Sequence, residues 1–282
     1  MENTENNQSP KFAFFYMLSL VALAFMAVST GMVIFQIINK RIIDVLAAYG
    51  TCYSSDALKF AISAIIISAP IYYALAWQIN KNLFSGDLKG ESEIRKWLTY
   101  LIIFISSIVA LGYFVAIIYN FLDGELTVKF ALKAIAALAI AGTIFSFYLY
   151  EIRRDVVAGA KDRVLRIYFF ATLAAIIIIL ISGFIFVESP NQTRLKKLDQ
   201  ETLEDFNSIK YAIENFYQTS KRLPEDFNAL IKADLIKADN IKNRAAKNNF
   251  EYYILGDNKY KICADFQTSN KATAEDCYDS WL

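Results

Sequence analysis

The chain has 282 residues, of which 56% are hydrophobic, and a mean hydropathy of +0.32, too apolar for a single water-soluble domain. Lys and Arg number 29 against 28 Asp and Glu, a net charge of +1, so no global basic field points to nucleic acid as a partner. Histidine is absent, which removes the commonest general base and the commonest transition-metal ligand; no catalytic residue, cofactor or metal is expected.

The chain opens on a polar tail, residues 1–11, "MENTENNQSPK", with one Lys against two Glu. That is the wrong balance for the n-region of a signal peptide, and the apolar run behind it is far longer than an h-region. Five segments then read as membrane spans, because about 20 helical residues cross the hydrocarbon. They are Phe12–Ile38, Leu58–Ile79, Trp97–Leu122, Leu126–Tyr150 and Ile167–Val187. Pro70 inside the second span predicts a kink that neighbouring helices can tolerate. Tyr and Trp at several span ends, among them Tyr16, Trp77, Trp97 and Tyr168, suit interfacial belts.

The connectors carry the orientation signal. Lys81, Lys89, Arg95 and Lys96 follow the second span, and Arg153, Arg154, Lys161, Arg163 and Arg166 follow the fourth. With Lys11 they make ten positive residues on one side, against Lys40, Arg41, Lys59, Lys129 and Lys133 on the other. The excess predicts a cytoplasmic amino terminus and an extracytoplasmic carboxy-terminal domain. Asn39–Arg41, "NKR", pulls the other way. The second basic connector could also meet anionic lipid or a cytoplasmic partner, although a topology signal accounts for it.

Within the spans ionisable residues are scarce, and such residues are the usual pointer to ion pathways. Lys133 is the exception, and it is placed to snorkel to the outer interface. Ser63, Ser68, Ser106, Ser107, Thr143, Ser146 and Ser182 either line a polar path or bond back to their own helices. Ala27 with Gly31 and Ala137 with Ala141 form small-xxx-small pairs, which predict close helix packing within the chain or between copies in a homo-oligomer. Cys52, in the first outer loop, reads as a small buried residue.

Beyond Pro190, Leu195, Leu198, Thr202, Phe206, Ile209, Ile213 and Phe216 recur every three or four positions, the mark of an amphipathic helix. Pro224 ends it and sits near the first turn of a short second helix. "FEYYILGDNKYKICADF" then predicts two strands joined by a turn. Cys263 and Cys277, thirteen residues apart, most simply form a disulfide in an extracytoplasmic domain. Closing that loop would stabilise it by about 3 kcal/mol. The alternative is two reduced, half-buried thiols.

Two resemblances accompany these patterns. "FAFFYMLSLVALAF", "SEIRKWLTYLIIFI", "YNFLDGELTVKFALKAIAALAIAG" and "YLYEIRRD", from Phe12 to about Asp155, resemble a bacterial membrane-domain family of unknown function, which implies an architecture and no reaction. The features "FYQTSKRLPEDFNALIKADLI" and "YYILGDNKYKICADF", behind a span and an amphipathic helix, resemble the periplasmic part of type IV pilins and pseudopilins. That resemblance implies a fold used for protein contacts. Pilins, however, begin with one processed amino-terminal span, whereas the equivalent helix here is the fifth.

The fold class expected is therefore an all-α transmembrane bundle over 12–187, followed by a small extracytoplasmic α+β domain over 188–282. The expected role is a non-enzymatic protein of the plasma (inner) membrane whose outer domain binds other envelope proteins. The alternative is a small channel or transporter capped by that domain, with a hydrated path between its spans.

Overall fold

The computed structural model describes residues 9–42, 53–85, 93–124, 126–153, 162–243, 248–256, 258–268 and 277–281. Cys52, Lys89, Arg154 and Lys161 lie outside the described residues. The chain divides into two compact units, Met1–Val187 and Glu188–Leu282.

The first unit consists of α1 (Ser9–Arg41), α2 (Ser55–Ser85), α3 (Glu93–Leu122), α4 (Val128–Arg153) and α5 (Arg163–Phe186). All five are long and apolar enough to cross a membrane. The shortest, at 24 residues, extends about 36 Å at 1.5 Å per residue, against about 30 Å of hydrocarbon. The centre is the α1–α2 pair. Leu23, Met26, Thr30 and Val33 on α1 recur every three or four residues, and so do Leu58, Ala61, Ile65 and Ala69 on α2; all are buried. These two stripes interlock as i, i+3, i+4 ridges.

α2 continues through Pro70, which removes one N–H and frees the carbonyl a turn earlier. α3 and α4 form an antiparallel hairpin. Gly124 reverses the chain at φ +75°, a left-handed conformation that favours glycine, and the Thr127 hydroxyl then accepts from the Phe130 N–H at 3.2 Å to cap α4. α5 is the most peripheral helix, with 6% of its apolar window buried against 39% for α1. It docks where Gly183 lets it approach: a Cβ there would stand 3.2 Å from Ile62 and from Val33.

The positive residues in the last turn of α1 have structural partners. Lys40 Nζ donates to the Phe186 carbonyl at 2.9 Å, joined by the Tyr53 hydroxyl at 3.2 Å. The Arg41 guanidinium lies 5.0 Å from the Phe186 ring. A carbonyl left over at the end of α5 needs donors, and the helix dipole favours cations there. "NKR" thus serves as a cap for α5, which gives it a purpose independent of sidedness. Of the two lysines on α4, Lys129 is the buried one. Lys133 is half-buried, with its Nζ 6.0 Å from the Phe35 ring centroid.

The second unit starts with α6 (Pro190–Ser220), capped by the Ser189 hydroxyl and carrying Pro at its first position. Phe206, Ile209, Ala212 and Ile213 are buried on one face and pack with Leu230, Phe250, Tyr260 and Ile262. Two carboxylates, Asp199 and Asp205, lie on that same face and are also buried, which apolar periodicity alone did not reveal. Asp205 accepts from the Asn240 amide at 2.8 Å.

α7 (Phe227–Lys232) is capped by Asp226, not by a proline-led first turn. The Asn228 amide and the Ala229 N–H hold the Asp226 carboxyl below its ordinary pKa. Pro224 instead precedes the cap and is fully buried in the core. Two short antiparallel strands, β1 (Lys242–Asn243) and β2 (Asn248–Asn249), are followed by a three-stranded antiparallel sheet. Its strands are β3 (Glu251–Gly256), β4 (Lys259–Cys263) and β5 (Cys277–Trp281), in that order. The third strand corrects the two-strand expectation. β5, "CYDSW", has no β-branched residue and carries Asp279 and Ser280, so its place is set by pairing with β4.

α6 ends on Lys221 in the left-handed conformation, at φ 55° and ψ 22°, where a side chain is strained and glycine is not. Lys221→Gly is expected to raise the stability of this unit by up to about 1 kcal/mol, read as a higher unfolding midpoint.

Candidate functional site

One end of the helix bundle gathers polar groups that the sequence presents far apart. Because α3 and α4 run antiparallel, the first turns of α3 meet the last turn of α4. Arg95 Nη2 lies 3.5 Å from Glu151 Oε1, with the two side chains 7% and 13% exposed. The same nitrogen donates to the Glu151 carbonyl at 3.4 Å. A charge is tolerated at such burial only with a partner. Next to the pair is a cavity of about 50 Å3 lined by Ser19, Asn80, Thr99 and Tyr148 as well as Glu151. Arg95 was expected to act as a topology charge. The structure adds that it is a buried partner of Glu151, in a bundle whose spans read as nearly charge-free. The signal available in the sequence was a Glu and an Arg at matching depths of one helical hairpin.

The other predicted topology charges are distributed differently. Lys81, Lys96, Arg153, Arg163 and Arg166 are exposed, and the Lys81 ammonium lies 5.6 Å from the Trp77 ring centroid. They belong to the same end as the Arg95–Glu151 pair, on α2, α3, α4 and α5.

From this polar end a larger cavity of about 290 Å3 runs between α4 and α5, backed by α1 and α2. Its walls are mainly apolar: Met26, Ile140, Ile144, Phe169 and Ile176 contribute. A polar rim of aromatic hydroxyls is tied up in hydrogen bonds. The Tyr72 and Tyr148 hydroxyls face each other at 3.4 Å, Tyr73 donates to Thr172 at 3.0 Å, and Tyr168 donates to Ser146 at 3.2 Å. α4 and α5 are joined at this end by the Tyr150 hydroxyl, which donates to Asp162 at 3.0 Å, and by the Phe147–Tyr168 ring pair at 5.5 Å. Elsewhere they make no extended contact, since α4 packs on α3 and α1 while α5 packs on α1 and α2. Ala136, Ala139 and Thr143 on one lip face Thr172 and Ala175 on the other. These side chains are too short to close the gap.

A second apolar cavity of about 350 Å3 lies between α1, α3 and α4, lined by Ala27, Gly31, Ala137 and Ala141. The small-residue pairs therefore face one another inside this chain, and they leave a space. Six of the seven hydroxyls proposed for a polar path bond back to carbonyls of their own helices: Ser63 to Lys59, Ser106 and Ser107 to Ile103, Thr143 to Ala139, Ser146 to Thr143 and Ser182 to Ile178; the Ser68 hydroxyl is buried with no hydrogen-bond partner among the described residues. Among the described residues no group of three Cys, Asp or Glu comes together as a metal-binding set.

In the second unit the β4–β5 register sets Cys263 directly opposite Cys277. Opposed antiparallel residues have Cα atoms about 4.5 or 5.5 Å apart, and both spacings fall within disulfide range. On the other side of β4, the edge strand β3 exposes Tyr253, Ile254 and Leu255.

No curated protein and no solved structure matches the chain. Residues 13–148, which run from α1 to Tyr148 on α4 and leave out α5 and the whole second unit, match the family described as a domain of unknown function, DUF5671.

Proposed function

We propose that the protein is a multi-pass membrane protein, with its amino terminus in the cytoplasm, that presents residues 188–282 outside as a non-enzymatic protein-interaction domain of the cell envelope. The outward surface of α1–α5 supports the membrane reading. Phe25, Ile67, Phe104, Val115, Ile135, Ile178 and Ile185 are all exposed, an apolar surface far larger than a water-soluble monomer carries. The excess of Lys and Arg at the Arg95–Glu151 end supports the orientation.

The single observation that carries the interaction role is the β3 edge. Among the described residues no strand pairs with the outer edge of β3, and that edge, bearing Tyr253, Ile254 and Leu255, offers both backbone hydrogen bonds and apolar side chains to a partner strand. The pilin resemblance and the absence of histidine agree with a binding role. Photo-cross-linking from position 253 in intact cells is expected to trap a protein partner, and Leu255→Lys to abolish the adduct. Cross-linking that traps none from residues 251–256 would count against this role.

The facing cysteines give the test of sidedness. In a Cys52→Ser background, an impermeant thiol reagent applied to intact cells is expected to label Cys263 and Cys277 only after reduction. Labelling without reduction would remove the disulfide, and labelling only after lysis would reverse the orientation.

A further inference from the structure

We propose that the crevice between α4 and α5 holds one acyl chain of an anionic phospholipid, whose head group lies among Arg153, Arg163 and Arg166; this rests on the membrane reading above. The crevice is bounded by helices that diverge from a single hydrogen-bonded end, so it opens sideways, where lipid would be. Its volume of about 290 Å3 admits roughly ten carbon-sized groups at about 30 Å3 each. A helix from a second copy, about 10 Å across with its side chains, would need several times that space. The short side chains of Ala139 and Ala175 on opposite lips keep the entrance open.

Charge fixes the head group. Leu165 lines the crevice at its polar end, with Arg163 and Arg166 within a turn of it on α5 and Arg153 at the end of α4, all exposed. Two carboxylates at this end, Glu151 and Asp162, are already engaged. Glu151 is paired with Arg95. Asp162 caps α5 by accepting from the Val164 and Leu165 N–H groups at 2.8 and 3.3 Å, and takes the Tyr150 hydroxyl as well. The exposed arginines are thus left to attract phosphate, the chemistry by which basic clusters beside membrane helices select anionic lipid. An apolar slot ending at such a cluster fits an amphiphile better than it fits an ion or a water file.

Native mass spectrometry of the full-length protein, offered phosphatidylglycerol and phosphatidylcholine in equal amounts, tests this. One phosphatidylglycerol is expected to stay bound, at least several-fold over phosphatidylcholine. Ala139→Trp, and independently Ala175→Trp, should lose it by filling the slot; both positions are exposed, so the bundle can accept them. Arg163→Gln with Arg166→Gln should keep lipid binding but lose the preference for phosphatidylglycerol. Equal binding of the two lipids by the native chain, or retention in both Trp variants, would overturn the proposal. Alkaline extraction of membranes checks the underlying reading separately: release of the chain would defeat the membrane assignment itself, whereas a retained chain without bound lipid would defeat only the lipid site.

Discussion

Arg95→Leu is expected to destabilise the helix bundle by about 3 kcal/mol, because it leaves the Glu151 carboxylate buried without its counter-charge. The figure belongs at the lower end of what breaking a buried pair costs, since Glu151 is 13% exposed and water can partly replace the guanidinium. Glu151→Gln should cost less. It keeps an oxygen facing Arg95 and the backbone carbonyl that Arg95 also contacts, so the remaining cation retains two acceptors. The double replacement Arg95→Met with Glu151→Leu should recover most of the loss, because two apolar side chains of similar bulk need no counter-charge. Unfolding midpoints in one detergent for the four proteins close a double-mutant cycle. A double variant as unstable as Arg95→Leu would show that the pair does something other than neutralise itself.

Asp199→Ala should be the most damaging single polar change in the second unit, at about 3 kcal/mol. The carboxylate, 6% exposed, accepts from the Gln267 N–H at 2.8 Å, the Thr268 N–H at 2.8 Å and the Thr268 hydroxyl at 2.6 Å. Hydrogen bonds to a charged acceptor contribute about 1.5–3 kcal/mol each. The sum is reduced because the released loop can turn some of its donors to water. Asp199→Asn keeps one acceptor but brings an amide donor up against donors, so it should fall between alanine and the native chain. The carboxylate fixes the chain as it leaves β4, before it returns as β5. Loosening it should therefore speed hydrogen exchange at Cys277–Trp281 more than at Glu251–Gly256. Equal acceleration in both strands would mean that Asp199 supports the whole core and not this connection.

These two sites show what a linear reading can find and what it overlooks. Asp199 interrupts no apolar period on α6; it sits beside Leu198 and Thr202 and looks like a solvated charge. Its partners are backbone N–H groups 68 and 69 residues later, and no sequence pattern encodes a bond to a main chain. Arg95 reads as an inside-positive residue for the same reason. Only the antiparallel return of α4 puts Glu151 beside it. Lys40 and Arg41 read as positive residues of the opposite connector, and only the fold brings them to Phe186 at the end of α5. By contrast, the presence and order of the five apolar helices, the amphipathic stripe of α6 and the β3–β4 hairpin were legible, since each depends on a local period and on turn residues, while the helix ends were not: α2 runs to Ser85, six residues past the apolar stretch that ends at Ile79.

The sequence by itself determined that five long apolar helices precede a polar module with its own core, because composition over about twenty residues at a time sets which segments are apolar around their whole circumference. Tertiary structure alone decided that α4 and α5 part company to leave a crevice, that Arg95 of α3 and Glu151 of α4 meet at the polar end of the bundle, and that a third strand aligns Cys277 with Cys263. Each of these depends on which residues distant in the chain are brought within a few ångströms. That proximity is set by the packing of whole elements, and a one-dimensional period carries no record of it.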